Sequence, residues 1–600
     1  MKKTVITFLV SGLLFVSGLK AQTIQEGMNH LYADRFKSAI GVFEKLIATN
    51  PNNSEAIYWL GQVHFDMDNN ALARQLYEKA LATNGSAPLI LVGLGHADLH
   101  DNKTADARQK FEAAITAAST KKGTDPLVLS AVGRANVDAK AGDFMYAIEK
   151  LTTAADKGDK STETLLQLGN AYRKARPGEG GGDAFKNYKK ALELNPSFAT
   201  ASLRLAKLFE SQRNWEFVLE YLNDAVKRDP KFAPGYYELF YYYFFRAKYP
   251  EAEEQLTKYI ANSDADVQHE YLYAQLCWAR KDFACAITKA ESVAMAMGDK
   301  TKPKVLKLLA DANYQKGEMA RLSKDSIGAM KDYANAKRYS DMYFVKEKKE
   351  DLISFDYKLL ADILSKTGGT ADEVLNTYLK GVELDTVVTS KVDFLKQGLA
   401  YFKENKLRDK EAIIIEKIIA LKPKPSINDY FDLTLAYYFG GNYARSREEA
   451  IKMIDKFPDQ VYGYEWAFNN ATAVDTLKQD SIAVPDALKL YDFAQKDTAK
   501  FKKQYISTVR YLAAYYINKA KDKEKSLEFF KKWKEADVAN ASTIQQYIDQ
   551  IEKGPSKQPS KPAVTPKGNA KPVKAVAGKP GTSTKTKTTT AVKKTTVIKK

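Results

Sequence analysis

Six hundred residues exceed what one hydrophobic core normally serves, so several domains or a repeat array is expected. A composition of 44% hydrophobic, 28% charged and 11% aromatic residues belongs to a folded chain, and two cysteines exclude a disulfide framework or a cysteine-rich metal site. The net charge of +18 sits at the ends: residues 553–600 hold thirteen lysines and no acid, residues 1–21 hold three lysines, and the body between carries +2.

The chain begins MKKTVITFLVSGLLFVSGLKAQ. Lys2 and Lys3 precede an apolar stretch, 5–19, that is broken by Ser and Gly and ends at Ala21. This is the pattern of a secretory signal over 1–21, too short and interrupted for a membrane span. It has no cysteine, which excludes lipid attachment there. Elsewhere no apolar run approaches about 18 residues. The mature chain is therefore expected to be exported, most simply to the periplasm, without a transmembrane span.

From residue 22 small and aromatic residues recur together. Gly27, Gly61 and Gly95 are 34 apart, as are Ala39, Ala73 and Ala107, and Phe43, Tyr77 and Phe111. Pro196 and Pro230 keep the interval, and so do Ala252 and Ala286. Three registers at one period signal a stack of equivalent supersecondary units. Each unit reads as two helices and a turn. In SEAIYWLGQVHFDMDNNALARQLYEKALATNG, Gly61 lets the first helix approach the second, where Ala73 faces it. Tyr77 and Ala80 then pack against the next unit, and Gly or Pro ends the second helix.

Alanine at the small site of the second helix, with an aromatic four residues later, gives about fourteen units. STKKGT (119–124) lies between units, while RPGEGGGD (176–183) and EMARLSKD (318–325) are expected to lengthen turns inside units. The array is regular over 22–340 and degenerate over 341–552, where LAYYFGGNYARSREEAIKMIDKFP (435–458) still fits.

The pattern resembles the tetratricopeptide repeat over roughly residues 22–550, with a good copy in LLQLGNAYRKA…AFKNYKKALELNP (165–196). The resemblance implies an all-α solenoid of helical hairpins, a right-handed superhelix whose concave groove is lined mainly by first helices. Such a surface binds a protein or peptide partner and is not an enzyme. The Ala-Gln junction after the signal resembles those of exported Bacteroidota proteins.

YYELFYYYFF, residues 236–245, packs eight aromatics into ten residues. Aligned through Ala252, Tyr236, Leu239, Phe240 and Tyr243 fall at inter-helix packing positions, and Tyr242 packs against an adjacent unit. Tyr237, Tyr241 and Phe244 remain, together on another stripe of the same helix. The next unit puts Tyr271, Gln275 and Trp278 on that stripe, and the one after contributes Lys307, Asp311 and Tyr314. In the resemblance this stripe faces the groove. Either it anchors a ligand with rings, or a tight superhelix fills its own groove. Glu238, Arg246 and Lys248 exclude a membrane segment.

Asn170, Arg204 and Lys207 also fall at groove positions, beside Asn136 and Gln167, where they hold an extended acidic peptide or simply form solvated helix faces. The chaperone-type carboxylate clamp of the family is absent, because Val132, Leu166 and Thr200 stand where it needs lysine. His30 and His64 sit at packing positions of the repeat. His96 and His100 share a helix face but lack a third ligand and an activating Glu, so no metal or other cofactor is expected. Cys277 and Cys285 flank Lys281 symmetrically; they are either disulfide-bonded or two buried thiols, depending on a Cα separation within about 7 Å. No phosphate loop or catalytic constellation is present.

Residues 553–600 are rich in Lys, Pro and Thr, lack aromatics and are expected to be disordered. For an exported chain, such a polycation meets an anionic envelope polymer rather than nucleic acid. The composite expectation is a protein- or peptide-binding scaffold of the cell envelope, serving a secretion, motility or envelope-assembly complex. The alternative is a carbohydrate or peptidoglycan binder that stacks sugars on the groove aromatics.

Overall fold

The computed structural model describes residues 23–553 apart from 86, 158–160 and 476–480. The expected signal segment and the tail after residue 553 lie outside the described residues. Among those described are twenty-nine α-helices and one two-stranded ribbon, in which 119–120 pairs with 123–124. The helices pack in succession as hairpins, making an all-α tetratricopeptide-type solenoid. Two compact units divide between Lys424 and Pro425. The line at 340, drawn from repeat regularity, falls inside the helix Ser326–Lys346.

The 34-residue registers meet in space. A Cβ added to Gly27 would lie 2.4 Å from the Phe43 ring, one on Gly61 2.1 Å from Tyr77, and one on Gly95 2.5 Å from Phe111. The glycine of each first helix is thus the seat for the ring of its second helix. Tyr77 also lies over Gly93 of the following hairpin, where an added Cβ would come within 2.5 Å of the ring. Its hydroxyl donates to the Tyr58 carbonyl at 2.7 Å and accepts from Gln62 Nε2 at 2.9 Å, so the buried oxygen is satisfied. One ring therefore joins two hairpins. Thr164 and Ser130, at equivalent positions of successive hairpins, also bond through their hydroxyls at 2.8 Å.

Turns after first helices repeat as well: Asp34, Asp68 and Asn102, 34 apart, have φ of 55°, 58° and 60°. Asp and Asn tolerate this left-handed conformation better than other non-glycine residues. Each insertion has its own outcome. STKKGT forms the small ribbon between hairpins. RPGEGGGD lengthens its turn, placing Gly169 under Tyr188 nineteen residues on.

EMARLSKD does not lengthen its turn. Gly317 sits under Tyr333 at the same sixteen-residue spacing as Gly61 and Tyr77. Glu, Met, Ala, Arg and Leu favour the helix, which runs on to Leu322. The extra residues lengthen the other end of this hairpin, whose helices Pro303–Leu322 and Ser326–Lys346 are 20 and 21 residues long.

Along the unit that ends at Lys424, the first helices of consecutive hairpins touch one another: Ser54–Asp66 meets Pro88–His100, which meets Pro126–Asp138, which meets Thr162–Ala175. They form the inner side of the curve. Among the described residues no helix is long and apolar enough to cross a membrane.

Candidate functional site

The aromatic run divides between core and inner face. Tyr236, Leu239 and Phe240 are buried, and Tyr242 reaches the preceding hairpin, its hydroxyl donating to the Trp215 carbonyl at 3.3 Å. Arg246 stacks over Tyr242 at 3.6 Å and over Trp215 at 4.9 Å. Tyr243 is half-buried rather than fully buried. Tyr237, Tyr241 and Phe244 are half-buried on the remaining stripe of helix Ala233–Phe244.

The stripe continues into the next hairpin, where the Tyr241 hydroxyl donates to Gln275 Oε1 at 3.1 Å. Tyr271 is only 4% exposed, in a core with Val305 and Leu309, and Gln275 is buried too. The rings that offer surface on this stripe are those of Tyr237, Tyr241, Phe244, Trp278 and Tyr314. Burial pushes the Tyr237, Tyr241, Tyr271 and Tyr314 hydroxyls up, so all four are neutral donors. Asp311, buried beside Trp278, has its carboxyl raised by burial against the pull of Gln315 and Lys358.

The polar candidates are engaged within the protein. The Tyr188 hydroxyl donates to Asn170 Oδ1 at 2.8 Å, and Asn170 Nδ2 donates to Gln167 Oε1 at 3.1 Å. Lys207 Nζ donates to Glu210 at 3.1 Å and to Glu238, of the next hairpin, at 2.5 Å. Arg204 is half-buried and its Nε meets no acceptor. Cys277 and Cys285 are bonded, with Cα atoms 5.8 Å apart across the turn in which Lys281 takes φ 63°. His96 is buried, its Nδ1 3.1 Å from Gln62 Oε1, and Phe65 lies against both His96 and His100. Among the described residues no group of three or more His, Cys, Asp or Glu could hold a metal ion.

The sequence reading missed a charged cluster on the inner face of the first five hairpins. Arg134, with its side chain 4% exposed, donates from Nη1 to the Tyr32 hydroxyl and to Glu163 Oε1, both at 2.9 Å. Its guanidinium also lies 3.1 Å from Asp138, 3.7 Å from Asp66 and 4.9 Å over the Trp59 ring. One side chain thereby touches hairpins one, two, four and five. Glu163 is buried; its Oε1 also accepts from Gln167 Nε2 at 3.3 Å, while Oε2 meets no donor. Desolvation raises the Asp34 carboxyl to about 6 and the Asp66 carboxyl to about 7, with Arg204 and Arg134 respectively pulling them back. Arg134 directly follows Gly133, whose added Cβ would lie 2.3 Å from Leu151. A charge beside a register glycine was the available signal.

A tetratricopeptide-repeat family profile matches residues 24–88 and 63–121. No curated protein matches the chain. The C-terminal part of a tetratricopeptide repeat-containing protein from Cytophaga hutchinsonii is 24% identical over 46% of this chain and 98% of its own, with a TM-score of 0.26. A tetratricopeptide repeat protein from Parabacteroides merdae is 17% identical over 46% and 98%, with a TM-score of 0.34. Yeast Tom70 is 15% identical over 69% and 94%, with a TM-score of 0.26. The family match covers the N-terminal hairpins, and hairpins of the same glycine-and-ring construction continue beyond it, so the fold is that of a tetratricopeptide-repeat solenoid.

Proposed function

We propose that this chain is a non-enzymatic scaffold that takes a peptide segment of a partner protein on its inner face, at Tyr237, Tyr241, Phe244, Trp278 and Tyr314. A tetratricopeptide solenoid is in general a protein-binding surface, and this stripe is where it carries accessible rings on successive first helices. The observation that carries the reading is the continuity of the stripe: Tyr241 of one hairpin is bonded to Gln275 of the next, at the equivalent position. Tyr271 and Gln275 support it from below. Arg204 supplies the cation on the approach, with Lys207 and Asn170 holding the neighbouring surface in place.

The rings favour peptide over carbohydrate. Tyr237 and Tyr241 meet at 74°, and Tyr241 and Phe244 at 75°. Such edge-to-face facets take a side chain between them better than they present a flat platform to a sugar. The leader-like 1–21 and the lysine-rich 553–600 support export and a second, salt-sensitive contact with an anionic envelope polymer. The setting that fits is a periplasmic secretion, motility or envelope-assembly complex.

Cross-linking in native cells tests this, comparing wild type with a Tyr237→Ala/Tyr241→Ala/Trp278→Ala variant and a chain ending at Lys553. The reading expects specific protein partners to be lost from the folded triple variant, and expects the shortened chain to keep them at high salt. Unchanged partners in the triple variant would make the rings packing only. Glycan recovered in place of protein would turn the assignment to carbohydrate.

A further inference from the structure

The first hairpin consists of α1 (Ile24–Tyr32) and α2 (Phe36–Thr49). At the start of α2 the N-cap residue is Arg35, whose side chain makes no capping bond. The first-turn amides of a helix need an acceptor, and here it comes from a residue 227 positions further along the chain. Asp264 lies between the helices Tyr249–Asn262 and Gln268–Ala279, in the link from the seventh hairpin to the eighth. Its Oδ2 accepts from the Lys37 and Ser38 amides at 2.7 and 3.2 Å, and its Oδ1 accepts from the Ser38 hydroxyl at 2.6 Å.

Two further bonds lie alongside. Lys37 Nζ donates to the Ala265 carbonyl at 2.7 Å, and Arg35 Nη1 donates to the Lys231 carbonyl at 3.4 Å. At the turn of the hairpin, Ala33 is buried in a core with Ala199, Leu203 and Leu239, and Tyr32 meets Phe198 edge-to-face at 5.7 Å.

Neighbouring hairpins of a solenoid share continuous apolar cores, but nothing in their stacking requires the first to touch the sixth, seventh and eighth. The polar part of this long-range contact is exposed or half-buried and opens first, whereas its apolar part, where Ala33 and Tyr32 pack on Ala199, Leu203, Leu239 and Phe198, must part when the hairpin moves. Asp34, at the turn of the same hairpin, lies within electrostatic reach of Asp66, and Asp66 within reach of Arg134.

We propose that Asp264 and the N-terminus of α2 form a latch that closes the inner face of this unit, and that releasing it swings the first hairpin aside to admit a ligand from the side. The inference rests on the inner face being the binding surface, but the latch is measured without any ligand. Latch and binding can therefore fail independently.

Hydrogen exchange on the full chain provides the first readout. Asp264→Ala is expected to speed exchange in the first turn of α2 about fivefold, with Asp264→Asn, which keeps an oxygen acceptor, falling between it and wild type. The second readout is access. Asp66 retains a side chain 38% exposed on the inner face, so Asp66→Cys reports on reagents reaching it. A bulky polyethylene-glycol maleimide is expected to label it about tenfold more slowly than a small maleimide, relative to the same pair on an outer-surface cysteine. Adding Asp264→Ala should remove that gap. Unchanged exchange in α2, or a gap that is absent before the latch is broken or persists after it, overturns the proposal.

Discussion

Arg134 is where one substitution should tell most. Its guanidinium is nearly all buried and is shared among Tyr32, Asp138, Glu163 and the Trp59 ring, so its removal strands Glu163 in the interior. Removing a buried donor leaves its acceptors desolvated and unpaired, which costs more than the bonds contribute net. Arg134→Ala is expected to lower unfolding stability by about 3 kcal/mol, read from the denaturant midpoint at constant m-value. Because burial raises the Glu163 carboxyl to about 8, the loss should be larger above that pH, where the stranded group is charged, and Glu163→Gln on top should remove that extra part. A single-variant cost within experimental error would show that water already reaches the pair. At this scale the sequence was legible where period and residue size agree, as in the glycine seats for Phe43, Tyr77 and Phe111. Arg134 was illegible because its partners come from four hairpins, and no local spacing reports that.

At the scale of the hairpin, Cys277 and Cys285 join the end of helix Gln268–Ala279 to the start of helix Phe283–Met297. Their symmetry about Lys281 left bonded and free thiols equally open in the sequence. What separates the two is the left-handed Lys281, which folds the turn tightly enough to bring the Cα atoms within 5.8 Å. Unfolded, unreduced protein should accept no thiol reagent, and reduced protein should accept two equivalents. A loop this short implies a stabilisation of about 2.5 kcal/mol on the chain-entropy account, so a Cys277→Ser/Cys285→Ser variant should lose that much. Alkylation of the unreduced chain would refute the bond outright. The segment 318–325 teaches the opposite lesson about elements. It was expected to lengthen a turn, yet Glu318 to Leu322 propagate the helix, and the extra length appears at the far end of the hairpin.

For the molecule as a whole, the repeat was legible and the closure of its first turn was not. Closure depends on small rotations accumulated over seven hairpins, and a single residue such as Asp264 reveals it only once those are summed. The enclosure has an electrostatic consequence. The Asp34 and Asp66 carboxyls are raised from 3.8 to about 6 and about 7, chiefly by desolvation among the surrounding helices, an effect that the solvent reaching both exposed side chains reduces. Above that ordinary value the unfolded chain has released these protons, while the folded chain still holds part of them. Folding therefore takes up protons, and stability falls as pH rises. The stabilisation is gained as pH drops through about 7 and then about 6, and it levels off below the unfolded value. These two carboxyls should accordingly contribute more stability near pH 5.5 than near pH 7.5, alongside Glu163, whose carboxyl burial raises to about 8, and against the buried His96, whose lowered value acts in the opposite direction. An Asp34→Asn/Asp66→Asn variant, which cannot titrate at either site, should lose the part of the wild-type pH dependence that these two carboxyls supply. If its pH dependence matches wild type, the inner face is as well hydrated as an open surface, and the latch at Asp264 encloses nothing.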